Sequence, residues 1–218
     1  MQLVAYGTQD MYLTGNPQVT SFKAIYRRYT NFSMESIEQT FNGCCDFGRR
    51  VQCTIARIGD LAYRTYFQVT LPEINQTDAA FARWLDYPGH HLINNVEVEI
   101  GGQRIDKHYG DWLHIWNELT QTAGHQAGYA NMVGNVPRLT QVISGIARTT
   151  AGTSSVSYKS CDETACIPQT TLFVPLQFWF CRNPGLALPL IALQYHEVKI
   201  SMTFRKASEC YWNSGSVT

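Results

Sequence analysis

Strict alternation of apolar and polar residues, repeated over several short segments, constrains this chain more than any other feature. Successive side chains of a strand point to opposite faces, so a period of two means a sheet with one covered face and one wet face. Val96, Val98 and Ile100 alternate with Glu97 and Glu99, and Gly101-Gly102 follows as a turn. Val198, Ile200, Met202 and Phe204 lie opposite Lys199, Ser201, Thr203 and Arg205. Val51, Cys53 and Ile55 oppose Gln52, Thr54 and Ala56. Between Leu61 and Leu71, the row Tyr63, Thr65, Phe67, Val69 and Leu71 opposes Arg64, Gln68 and Thr70. A further row, Leu172, Val174, Leu176, Phe178 and Phe180, has Phe173 and Trp179 on its other side. That strand is expected between two covered surfaces, with Pro175 marking an edge or a bulge.

Strands are therefore predicted near 35–41, 50–58, 61–71, 93–100, 103–107, 171–181 and 196–205. Turns fall at Asn42-Gly43, Ile58-Gly59-Asp60 and Gly101-Gly102. No strand–helix–strand rhythm appears, which argues against a parallel sheet. The pattern predicts an all-β, antiparallel sandwich. One short helix is predicted at Asp111–Leu119, where Trp112, Ile115, Trp116 and Leu119 fall at i, i+3, i+4 and i+7. Asp111 is its expected N-cap, because a carboxylate accepts the free amide hydrogens of a first turn, and the helix is expected to plug an open side of the sandwich. The predicted core is Val96, Val98, Ile100, Trp112, Ile115, Trp116, Phe178 and Phe180. From about Thr120 to Pro168 the chain turns to Gly, Thr, Ser and Asn, and a long surface loop is expected there.

Composition narrows the function. The 218 residues suffice to bury a real core. Lysine plus arginine equal aspartate plus glutamate at 17 each, whereas a general nucleic-acid binder shows a basic excess. The basic pairs Arg27-Arg28 and Arg49-Arg50 read as solvated surface. No basic-then-apolar leader opens the chain and no stretch approaches the ~20 apolar residues of a membrane span. A cytosol-like origin with reduced thiols is the expectation for its seven cysteines. No phosphate loop, nucleophile elbow or helical His-Glu-x-x-His is present, and the six histidines contain no His-x-His of a cupin. Cys161 and Cys166 are separated by four residues, but a zinc hairpin needs a second ligand pair, and nothing fixes His90-His91 as that pair. His196 beside Glu197, and the Asp106, His108 and Asp111 group, read as structural hydrogen-bonding residues. No enzyme, cofactor or metal is predicted. Asn31-Phe32-Ser33 and Asn75-Gln76-Thr77 match the glycosylation sequon, with chance the simpler reading.

Three longer segments carry a resemblance. The first runs from Leu3-Val4-Ala5-Tyr6-Gly7 through Tyr12-Leu13-Thr14-Gly15-Asn16-Pro17-Gln18-Val19-Thr20 into Phe22-Lys23-Ala24-Ile25-Tyr26-Arg27-Arg28-Tyr29-Thr30-Asn31-Phe32. The second is Val96 to Ile100 with Gly101-Gly102-Gln103-Arg104-Ile105-Asp106-Lys107-His108-Tyr109, and the third is Pro184-Gly185-Leu186-Ala187-Leu188-Pro189-Leu190-Ile191-Ala192-Leu193-Gln194-Tyr195-His196-Glu197-Val198-Lys199. In order and spacing they resemble the major capsid proteins of nucleocytoplasmic large DNA viruses, of the algal-virus and giant-virus type. Thr120–Pro168 matches least. The resemblance implies the first of two successive jelly rolls, and a subunit of a trimeric, pseudo-hexagonal capsomer in an icosahedral shell around an inner membrane. It implies an N-terminal arm at 1–30 and a jelly roll at 31–218, seven strands being one short of eight. It places Asn16, Pro17, Arg27 and Arg28 near the base or between subunits, and turns Thr120–Pro168 outward. Implied partners are other copies, neighbouring capsomers and minor capsid proteins, with no direct nucleic-acid contact and the membrane nearby but not spanned. It implies a virion location, with assembly in the host cytoplasm. A glycan-binding jelly roll on the particle surface is the alternative, with the loop as its binding element. Glycans on outer loops of some relatives keep Asn31 and Asn75 as candidates.

Overall fold

In the computed structural model the described residues are 7–16, 25, 29–75, 82–141, 146–150, 153–157 and 166–213. The chain divides into two compact units, Met1–Glu38 and Gln39–Thr218, a boundary later than the expected one after residue 30. The first unit contains helix α1 (Thr8–Thr14), and residues 31–38 carry neither helix nor strand.

The second unit is mostly antiparallel sheet. Its strands are β1 (Arg50–Thr54), β2 (Leu61–Ala62), β3 (Tyr66–Leu71), β4 (Ile74–Asn75), β5 (Ala82–Trp84), β6 (Ile93–Ile100) and β7 (Gln103–Tyr109). Then come β8 (Ile146–Thr150), β9 (Thr153–Ser157), β10 (Cys166–Ile167), β11 (Thr170–Pro175), β12 (Leu188–Pro189), β13 (Val198–Phe204) and β14 (Tyr211–Asn213). Four strands make the main sheet in the order β1-β13-β6-β7; the others pair as β11-β3, β12-β2, β10-β4, β14-β5 and β8-β9.

Register turns the alternation into two faces. Val51, Met202, Val96 and His108 stand opposite one another across the main sheet, and all four are buried. The neighbouring row Gln52, Ser201, Glu97 and Lys107 points to the other face. In the pair β3-β11, Phe67 and Val174 face each other and are buried, while Tyr66 and Phe173 stay about half exposed. Phe67 meets Phe204 of the main sheet at 5.7 Å between ring centroids, which joins β3 to β13 through the core. Each such fully buried aromatic contributes roughly 1.5–3 kcal/mol of burial free energy.

Helices α2 (Pro88–Leu92), α3 (Gly110–Thr120), α4 (Ala123–Val133), α5 (Pro137–Thr140) and α6 (Trp179–Arg182) fill the remaining segments. Two glycines are required by close approach. A Cβ on Gly110, at the start of α3, would overlap the backbone oxygens of His90 and Ile93. Gly134 closes α4 at φ 85°, the left-handed conformation that glycine adopts without penalty.

Several expectations need correction. No strand forms at 35–41; in that region a single bridge, Asn42 to Gln52, touches β1. The strand expected at 61–71 is broken into β2 and β3. The one expected at 171–181 stops at Pro175, and Phe178 and Phe180 reach the core from the N-cap and body of α6. Thr120–Pro168 is no featureless loop, since α4, α5 and the hairpin β8-β9 lie within it. Alanines give Ala123–Val133 helix propensity without an amphipathic stripe, which is why periodicity did not signal it. Tyr211–Asn213 forms a short, partly buried strand on β5, where Tyr211 meets the buried Trp84 edge-on at 6.2 Å.

Candidate assembly surface

The outward face of the main sheet carries the most organised polar cluster among the described residues. Alternation along β6 turns Glu97 and Glu99 away from the core. Glu97 accepts from Lys107 Nζ at 2.9 Å and Arg50 at 3.1 Å, with Arg104 at 3.6 Å. Arg50 also reaches Glu99 at 3.4 Å. Lys107 and Arg104 are three apart, so strict alternation would separate them. A bulge prevents this: Asp106 pairs with Val98 and Arg104 with Glu99, leaving Ile105 as the extra residue. The Lys107 hydrogen bond holds the Glu97 carboxyl below the usual carboxylate range, against desolvation, and the charges of Lys107, Arg50 and Arg104 add to it. The Glu97 side chain is only 9% exposed, whereas those of Arg50 and Arg104 are 56% and 60% exposed. The cluster therefore shows the outside its cations and keeps its carboxylate within.

A second polar feature lies where α2, α3 and α4 meet. Tyr87 has a left-handed backbone at φ 52°, a strained position for a non-glycine residue. Its ring stacks on His90 at 5.5 Å and lies 4.7 Å from His114, and its hydroxyl donates to Glu118 at 3.1 Å. His90 Nε2 shares a 2.8 Å hydrogen bond with the Tyr129 hydroxyl. Burial, reinforced by His114 and His91, pushes the His90 pKa down to about 3; burial also pushes the Tyr129 hydroxyl well up. A cleft of about 440 Å³ opens beside Tyr87, His90, His91, Asp111 and His114. Because His90 is neutral and already bonded, this reads as a joint between helices. Among the described residues no group of three or more His, Cys, Asp or Glu is arranged to hold a metal ion, and no helix is long and apolar enough to cross a membrane.

The residues singled out from sequence fall in different places. Val96, Val98, Phe178 and Phe180 are fully buried. Ile100, Trp112 and Trp116 are half-buried. Ile115 is corrected: it is 48% exposed, as Leu119 is 78% exposed, and Leu113 is the α3 side chain that enters the core. The stripe of four apolar residues is real, but the helix is rotated so that Gly110 and Leu113 meet the sheet; only glycine allows that approach. Asp111 is not the N-cap, a position held by Tyr109; it accepts instead from Arg205 at 2.8 Å. Asn16 is exposed just after α1, whereas Pro17, Arg27 and Arg28 lie outside the described residues. Asn31 is exposed; Asn75 pairs with Cys166, and Thr77 of its sequon lies outside the described residues, as does Cys161. The Glu97 cluster escaped the sequence reading. Its signal was there, acidic residues on β6 facing basic ones on β7 across Gly101-Gly102, but the bulge that aligns them is not legible in one dimension.

The chain belongs to the major capsid protein family: residues 20–218 match the family model of the major capsid protein N-terminus. It is 63% identical, over 97% of its length, to the major capsid protein of Phaeocystis pouchetii virus. It spans only 42% of that relative. It also superimposes on the quasi-atomic model of the PBCV-1 virus capsid with a TM-score of 0.60 and 34% identity, covering 89% of this chain and 43% of the other. The Faustovirus major capsid protein, 15% identical, shares the fold alone at a TM-score of 0.57, covering 97% of this chain and 48% of its own. The fold is the antiparallel jelly roll of these proteins, and the family is structural rather than enzymatic.

Proposed function

We propose that the chain is the first jelly roll of a coat-protein subunit of a large DNA virus, three copies of which form a pseudo-hexagonal capsomer of an icosahedral shell. The 63% identity with a viral major capsid protein along nearly the whole chain carries this reading. The outer sheet face supports it: interlocked charges give a rigid, polar surface suited to wet contacts between subunits. The partners are other copies, neighbouring capsomers and minor capsid proteins. Zero net charge argues against direct packaging contacts with nucleic acid. The chain sits in the virion shell, near but not within an inner membrane, after assembly in the host cytoplasm. The arm with Asn16, Pro17, Arg27 and Arg28 lies between subunits, and the segment Thr120–Pro168 faces outward.

Intact mass and copy number in purified particles test this. The expected result is that the most abundant particle protein contains these peptides within a polypeptide more than twice this length. Absence of the peptides from particles, or their presence only in trace, would sink the reading.

A further inference from the structure

We propose that residues 31–37 of one copy add as a strand to the open edge of β7 in a second copy. This rests on the reading that the N-terminal arm lies between subunits, and it names the surface that receives it.

Among the described residues β7 is the last strand of the main sheet, so one side of its backbone faces no partner strand. An unpaired edge is a template for another strand unless proline, short length or cover blunts it. Seven-residue β7 has no proline, and Ile105 and Tyr109 are each 50% exposed. The bulge at Ile105 confines regular addition to Asp106–Tyr109 and leaves the Ile105 side chain beside the incoming strand. The sheet's opposite edge, β1, is partly taken by the chain's own Asn42 bridge.

The occupant is argued from pattern and charge. Residues 31–38 carry no helix or strand of their own. Phe32 and Met34 alternate with Ser33 and Glu35, the period of a strand with one apolar face. Tyr29, Phe32 and Met34 are 80%, 60% and 74% exposed, a costly display for a monomer. Residues 29–38 contain Glu35 and Glu38 and no basic side chain. On the outward face β7 itself presents Arg104, whose side chain is 60% exposed, and Lys107, while Glu97 and Glu99 of the neighbouring β6 are only 9% and 21% exposed. An acidic, apolar strand thus meets a basic edge bearing two apolar side chains. Backbone hydrogen bonds would supply affinity and alternate side chains the register.

The test is a photo-crosslink. Met34 is replaced by a benzophenone amino acid in protein assembled from mixed ¹⁴N and ¹⁵N subunits, and the crosslinked peptides are mapped by mass spectrometry. Mixed-isotope crosslinks to residues 103–109 are expected. Mixed-isotope crosslinks to another surface would overturn the β7 site and leave the arm between subunits. Crosslinks within one isotope only, or none, would overturn both. As a second measurement, Glu35→Arg and Arg104→Glu should each weaken association on the order of tenfold, and the double reversal should restore it. Thermal melts of each variant check that folding is intact. Equal weakening in the double variant would count against the pairing.

Discussion

Mild acidification, below about pH 6.5, should destabilise this jelly roll through two buried histidines. His90 and His108 are 3% and 5% exposed, and neither His108 ring nitrogen has a hydrogen-bond partner among the described residues. His108 stands edge-on to Phe178 at 4.6 Å. Burial pushes its pKa down to about 4, with Asp106 opposing, and holds that of His90 at about 3. An unfolded histidine titrates near 6.5, so below that pH the unfolded chain takes up protons that the folded chain refuses. Stability is then fully present above pH 6.5 and declines as the pH falls toward the folded values. At pH 5 each histidine lies about 1.5 pH units below its unfolded pKa and is still neutral in the fold, which costs about 2 kcal/mol each, or about 4 kcal/mol together. The assay is urea unfolding at pH 7.5 and pH 5, on this chain and on His108→Phe. Phenylalanine keeps the edge contact and removes the titration, so the pH-induced loss should shrink by about 2 kcal/mol in the variant. An identical loss in both proteins would refute the argument, because it would mean that His108 is hydrated or protonated in the fold.

Other perturbations separate the surfaces. Glu97→Gln leaves Arg50, Arg104 and Lys107 around a neutral amide and should cost about 2 kcal/mol by denaturant unfolding; Glu197→Gln, which removes an exposed surface pair with Lys199, should leave the midpoint unchanged. Gly110→Ala drives a methyl into the backbone of His90 and Ile93 and should cost about 3 kcal/mol or more, seen as a lower melting temperature or loss of folded protein. Phe178→Ala should cost about 3–5 kcal/mol, Trp116→Ala clearly less because its ring is only half-buried, and Ile115→Ala within about 0.5 kcal/mol of zero. Equal losses at Phe178 and Ile115 would show that α3 is turned the other way in solution.

What the sequence determined by itself was the architecture. Period-two patterning is a local property, and a register error of one residue would expose every apolar side chain of β6 or β13, so those strands and their inward faces were legible directly. The long segments shared with coat proteins made the family legible as well. Tertiary structure decided the rest, because it depends on distance in space rather than along the chain. The face that α3 buries was set by how closely Gly110 lets its backbone approach His90 and Ile93, not by where its apolar stripe lay. The end of β11 was set at Pro175, yet Phe178 and Phe180 still reached the core by another path. The pairing of Tyr211–Asn213 with Ala82–Trp84 joins segments more than a hundred residues apart, and no local pattern encodes it. The Glu97 cluster depends on one bulged residue, Ile105: a register shift that brings Arg104 and Lys107 to the same face exists only once β6 and β7 have paired.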